Sequence, residues 1–160
     1  MEFHNESQRV TFDRVREYVG ELFEDAYHDT QNGHFYVSYG STVLEIAVEP
    51  YGPEESSVVI MSYCVQDVDD DHELLLGLLE LNHTLPFGAF SMVGNDIFFS
   101  YTLFGRTLER SNLLNAIAAV ANLADDYDDR IAETYGGQRA LDRIRDTGGL
   151  KQRQDALKTQ

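Results

Sequence analysis

Thiol chemistry is almost absent from the chain. It holds one cysteine, Cys64, which excludes an internal disulfide and is compatible with a reducing compartment. Long apolar runs are missing too. The longest, Leu74–Leu79, is interrupted by Gly77 and falls far short of the roughly 20 residues that a spanning helix needs. The opening MEFHNESQRV has neither a basic cluster nor an apolar core, so no secretory signal is expected and the cytoplasm is the expected location. Positive charge is scarce: 12 Lys+Arg stand against 28 Asp+Glu, a formal net charge of −16. Such a surface repels phosphate backbones, which argues against nucleic acid and anionic membranes as partners. Lys is rarer still than Arg, as in a GC-rich genome or a salt-adapted host.

The usual marks of catalysis are also lacking. There is no HExxH, no GxSxG elbow, no Walker loop and no GxGxxG. The five histidines, His4, His28, His34, His72 and His83, follow no ligand spacing. Asp67, Asp69 and Asp71 alternate as at the start of a calcium loop. The sixth and twelfth positions of that loop, however, hold His72 and Leu78 in place of Gly and Glu, so these acids are better explained as a helix start. Asp125, Asp128 and Asp129 share a face late in the last helix, with no histidine or glutamate motif opposite, and are read as a solvated face. Cys64 lies in an apolar strand with no basic neighbour in sequence to activate it. No catalytic residue, metal or cofactor is assigned, and the chain reads as non-enzymatic.

What is present is pattern. Hydrophobic residues make up 42% of the 160, enough for one domain with its own core. Phe12, Val15, Val19, Leu22, Phe23 and Ala26 recur at three- and four-residue steps and predict a helix over about Ser7–Tyr27. Alternation predicts strands at His34–Tyr39, Thr42–Pro50 and Ser57–Val65, the last apolar on both faces. A leucine-rich helix over about Asp70–Asn82 follows, then a hairpin with arms Phe87–Val93 and Ile97–Phe104 around Gly94-Asn95-Asp96. A final helix is expected over Ser111–Tyr135, with Ser111 as its cap and Gly136-Gly137 after it. A short helix is expected over Gln138–Asp146. The order helix-strand-strand-strand-helix-strand-strand-helix makes this an α+β fold with a mostly antiparallel sheet flanked by helices. Residues 1–137 form the expected domain and 138–160 a short helix and basic tail. That tail has six basic and three acidic residues, leaving −19 on the body. It reads as a solvated tail or as one that folds back onto, or bridges, acidic bodies.

The apolar inventory exceeds what one such core hides. In the hairpin arm IFFSYTLF, Ile97, Phe99, Tyr101 and Leu103 are expected to face the core and Phe98 and Phe104 to face outward. Tyr36 projects from the other face of the first strand, and Ile60 from the second face of the central one. These four, Tyr36, Ile60, Phe98 and Phe104, are the candidate partner-binding surface. On the leucine helix, Leu75, Leu78 and Leu79 are candidates for a homodimer interface.

Residues 73–137, from ELLLGLLELNHTLPFGAF through NDIFFSYTLF to ADDYDDRIAETYGG, resemble the YbjN-like proteins and their relatives that share the type III secretion chaperone fold. The features that carry the likeness are the leucine helix ending in Leu81-Asn82, Leu85-Pro86 before a Phe90-centred strand, and the strand Ile97–Leu103. The helix running through Ala124-Asp125 to Gly136-Gly137 completes the set. Upstream, only the element order agrees. The resemblance implies a homodimer of α/β protomers that binds peptide segments of client proteins, without a cofactor. It carries over no active-site residue. The expected function is therefore a chaperone-like or regulatory adaptor. The alternative is a small-molecule-sensing or signal-transduction regulatory domain, with its ligand in a pocket between sheet and helices.

Overall fold

Asn5 opens the first helix, α1 (Glu6–Leu22): its side-chain oxygen accepts the Gln8 N–H at 2.8 Å, as an N-cap should. The computed structural model describes residues 2–69, 71–135 and 137–139. After α1 come β1 (Tyr27–Asp29), β2 (His34–Tyr39), β3 (Thr42–Tyr51) and β4 (Glu55–Gln66). Then follow α2 (His72–Thr84), β5 (Ala89–Val93), β6 (Asp96–Phe104), α3 (Arg110–Tyr135) and β7 (Gln138–Arg139). One antiparallel sheet runs β1-β2-β3-β4-β6-β5, and β7 joins it by pairing with the end of β4. The expected α+β class and its antiparallel meander are what forms.

The sheet is two-faced because strand side chains alternate. One face carries Phe35, Val37, Leu44, Ile46, Val48, Val58, Ile60, Ile97 and Phe99, all enclosed. Phe12, Val15 and Val19 of α1, Leu74 and Leu78 of α2, and Leu113, Ile117, Val120 and Ala124 of α3 belong to that same cluster. Each large aliphatic or aromatic side chain buried this way contributes about 1.5–3 kcal/mol. Across the opposite face the register aligns Tyr27, Tyr36, Glu45, Met61, Ser100 and Ala89 in one row. Here Phe98 stacks on Tyr63 with ring centroids 4.7 Å apart, and Met61 packs beside them. Tyr63 donates its hydroxyl to Asp96 at 2.6 Å and accepts from the Gln66 amide.

The ends of elements differ from the sequence expectation in instructive ways. α1 stops at Leu22, not near Tyr27, because Phe23 is already extended and Tyr27–Asp29 leave to pair with His34–Tyr36. The Asp29 carboxylate accepts the Gln31 N–H and the Asn32 side chain accepts that of His34, which closes the β1–β2 turn. Asp71 caps α2 by accepting the Glu73 N–H at 2.7 Å, while Asp67, at φ 53°, donates its N–H to Asp96. Ser111 lies inside α3, not before it. Gln138 and Arg139 are strand, not helix, and residues 140–146 of the expected short helix lie outside those described. Gly105 ends β6 where only hydrogen fits: a Cβ there would stand 2.1 Å from the Ser56 hydroxyl and 2.5 Å from that of Thr11.

Candidate functional site

β6 is longer than the strand beside it, and this mismatch creates the site. β5 pairs with β6 only from Val93↔Asp96 to Ala89↔Ser100. At Gly88 the chain turns away with φ +63°. A side chain there would meet the Ser100 carbonyl at 2.5 Å and the Phe99 ring at 2.7 Å, so the departure point is fixed by close packing. Tyr101–Phe104 of β6 therefore have β4 on one side and, among the described residues, no strand on the other. An edge of this kind presents backbone N–H and C=O groups ready to pair with another extended chain.

A hollow lies on each side of that edge. On the helix side, Phe87, Tyr101, Leu103, Asn112, Ala116 and Ala119 line one of about 370 Å³. The Phe87 ring stands 5.7 Å from Tyr101 and is half exposed. On the opposite side, Tyr51, Ser57, Thr102, Leu103 and Phe104 line a smaller one of about 200 Å³. Tyr51 and Phe104 are each 61% exposed and meet edge to face at 6.1 Å. Two apolar hollows on opposite faces of one unpaired strand match the alternation of side chains along an extended peptide.

Of the four residues expected to form a partner surface, the structure leaves one on it. Phe104 is exposed and sits in the second hollow. Ile60 points into the helix-covered core and is wholly enclosed, since its partner across β3 is Ile46. Phe98 does lie on the face away from the helices, as expected, but its stacking on Tyr63 encloses it to 5%. Tyr36 shares that face and is enclosed to 1%, with the Asn32 amide donating to its hydroxyl. Burial, reinforced by the Glu45 carboxylate, pushes that hydroxyl well above the ordinary tyrosine range. On α2, Leu79 is exposed and Leu75 partly so, whereas Leu78 packs inward. Leu76, not among the candidates, is also exposed. Tyr51, Phe87, Tyr101 and Leu103 were not among them either. In the sequence only the Pro86-Phe87-Gly88 break hints at Phe87, and strand pairing is what brings the four to one edge.

The chain matches, over residues 11–143, the family described as TY-Chap1, T3SS (YopN, CesT) and YbjN peptide-binding chaperone 1. The chain belongs to this family. Two solved structures support the fold. The structure titled "Crystal Structure of the ExsC-ExsE Complex" superposes with a TM-score of 0.60 at 9% identity, covering 79% of this chain and 96% of that one. The HopA1-SchA chaperone-effector complex gives 0.56 at 10% identity, covering 74% and 94%. At these identities the likeness is one of fold. No curated protein matches the chain. Membership in TY-Chap1, a peptide-binding family, points to protein binding. Among the described residues no helix is long and apolar enough to cross a membrane.

The face opposite the helices carries one titratable pair. His34 Nδ1 bonds the Glu45 carboxylate, with Glu49 at 4.0 Å from the other ring nitrogen and Asp29 nearby. The bond to Glu45 is the main cause that raises the His34 pKa above the ordinary 6.5, against desolvation. A raised folded-state pKa means this stabilisation is complete below the unfolded value and is lost as pH rises through the folded one. The His34 ring is therefore expected to titrate above 6.5 by NMR, with protein stability falling across that alkaline limb. In Glu45→Gln the titration should return toward the ordinary value. A wild-type titration at or below 6.5 contradicts the pairing.

Proposed function

We propose that this TY-Chap1 protein is a non-enzymatic chaperone-like or regulatory adaptor that captures an extended segment of a client polypeptide along the open edge of β6. The observation that carries the reading is the unpaired stretch Tyr101–Phe104 between two apolar hollows. An incoming strand in line with β5 would pair with that edge. Successive side chains would then enter the Phe87–Tyr101 hollow and the Tyr51–Phe104 hollow by turns. Membership in a peptide-binding family and the titles of both structural neighbours, each a complex of two proteins, support it. A cytoplasmic setting fits the single buried thiol of Cys64.

The test is binding of fluorescent peptides of alternating apolar and polar residues to the full chain. Saturable binding with new protection from exchange at the alternate amides of Tyr101–Phe104 that point away from β4 is the expected result. Binding without protection of those edge-facing amides would place the site elsewhere.

The same reading includes a homodimer held by the outward face of α2, where Leu75, Leu76 and Leu79 are exposed. Leu79 is 65% exposed, so Leu79→Glu should leave the fold intact and convert a dimer to a monomer in sedimentation velocity. Leu78→Glu should unfold the chain, because Leu78 is buried against the core. A dimer unchanged by Leu79→Glu and Leu75→Glu together would remove α2 from the interface.

A further inference from the structure

We infer that Asn82 guards the outer edge of β5 against pairing with the β5 strand of a second copy of this chain. Two hydrogen bonds carry this. The Asn82 side-chain oxygen accepts the Phe90 N–H at 2.7 Å, and its amide nitrogen donates to the Phe90 carbonyl at 3.0 Å. A residue that gives both its N–H and its C=O to one partner follows the pattern of an antiparallel ladder, so the Asn82 side chain stands in for a strand residue. Phe90 lies opposite Phe99 of β6, and its bonds to Asn82 show that its backbone groups point outward, away from β6. Those of Met92, two residues on, point the same way. The next strand of the sheet would run about 4.8 Å from β5. The end of α2 occupies that lane instead.

β5 needs such a guard. Edge strands are ordinarily protected by charge, by proline or by being very short. Ala89–Val93 reads AFSMV and has neither charge nor proline, in a chain of net −16. At the far end of the sheet β1 is three residues long and includes Asp29. β5 is also self-complementary. A two-fold axis normal to the sheet at Ser91 would place Phe90 of each copy opposite Met92 of the other, as hydrogen-bonded pairs, with Ser91 facing Ser91 between them. The side chains of Ala89, Ser91 and Val93 are exposed, small and uncharged, so nothing in them opposes that pairing. What holds α2 in the lane is light. Its buried residues are Leu74 and Leu78, both a turn or more before Asn82, and Leu81 and Leu85 pack on the core only in part. The Asn82 amide ties down a last turn that would otherwise fray as helix ends do. This guard is independent of where a client binds and of the α2 interface.

The test is cross-linking of the full chain carrying Ser91→Cys, an exposed position, since the native Cys64 is buried. Across a non-hydrogen-bonded antiparallel pair the two Cβ atoms lie close enough for a disulfide, formed here with oxidised glutathione as the electron acceptor. Ser91→Cys alone should give little covalent dimer. Adding Asn82→Ala should raise the yield about tenfold, in step with an about tenfold faster exchange of the Phe90 amide, as for the loss of one hydrogen bond. Asn82→Asp keeps an oxygen to accept the Phe90 N–H and puts a charge on the edge, so it should cross-link less than Asn82→Ala and leave Phe90 protected. Val93→Cys, which the two-fold sets opposite Ala89 and away from its own copy, should not respond to Asn82→Ala. Cross-linking through Ser91→Cys that is as fast with Asn82 intact overturns the inference. So does an Asn82→Ala protein in which Phe90 exchanges faster but no extra dimer forms, or one in which Ser91→Cys and Val93→Cys respond alike, the mark of random collision or of a lost fold.

Discussion

Phe98→Asp is expected to destabilise the protein by about 3–5 kcal/mol, the range for leaving an unpaired charge in a buried site. For a domain of this size that lowers the melting temperature by roughly 6–20 °C. The residue sits on the face away from the helices, where a substitution would ordinarily be mild. It is nonetheless 5% exposed, stacked on Tyr63 at 4.7 Å with the planes 9° apart. The change removes an offset aromatic pair and puts a carboxylate two residues from Asp96, on the same side of β6. Asp96 already accepts the Tyr63 hydroxyl and the Asp67 N–H, so the new charge strains a network that fixes the start of the strand. Phe98→Leu keeps the site apolar and should lose only about 1 kcal/mol. Thermal unfolding of the two variants separates the loss of stacking from the burial of charge. Equal, small effects from both would mean that Phe98 is accessible to solvent.

The contrast between Phe98 and Phe104 marks the limit of what alternation reveals. The pattern IFFSYTLF assigns both to one face of β6, and both do lie there. Which of them a side chain covers depends on the neighbour across the strand: Tyr63 stands opposite Phe98, whereas Ser57 stands opposite Phe104. Strand register decides that, and register is a long-range property. The same holds for Ile60. A strand apolar on both faces does not declare which face meets the helices, and pairing with Ile46 settles it. Helix and strand identities were legible where each rests on local period, but which leucines of α2 turn inward was not: Leu78, a candidate for the dimer interface, packs on the core. β1 was not legible either, because Phe23 and Ala26 extend the helical period of α1 past the point where the backbone leaves it. The open edge of β6 was hidden for a related reason. Two hairpin arms of similar apolar length look equally paired in sequence, and only the close approach of Gly88 to Ser100 and Phe99 shows where one of them stops.

Phe104→Asp is expected to do the reverse of the Phe98 change. At 61% exposure its replacement should alter stability by no more than about 0.5 kcal/mol. Peptide affinity, however, should fall by about 2–4 kcal/mol, roughly 30- to 1000-fold, as for a central aromatic contact. The ring forms one wall of the smaller hollow, edge-on to Tyr51, and a carboxylate there would lose its water as a client side chain entered. Phe104→Tyr keeps the wall and should bind within a few-fold of the parent. The helix-side hollow supplies an independent arm. Phe87→Ala should weaken binding through the alternate set of client side chains, because Tyr101 and Leu103 face the other way from Thr102 and Phe104. A scan along one bound peptide can then be read in phase: odd positions should respond to one variant and even positions to the other. Such a two-residue period is what strand pairing along β6 demands, whereas a helical client would give a period of three to four. If Phe104→Asp leaves affinity untouched while Phe87→Ala abolishes it, the client uses the helix-side hollow alone and does not pair with the edge.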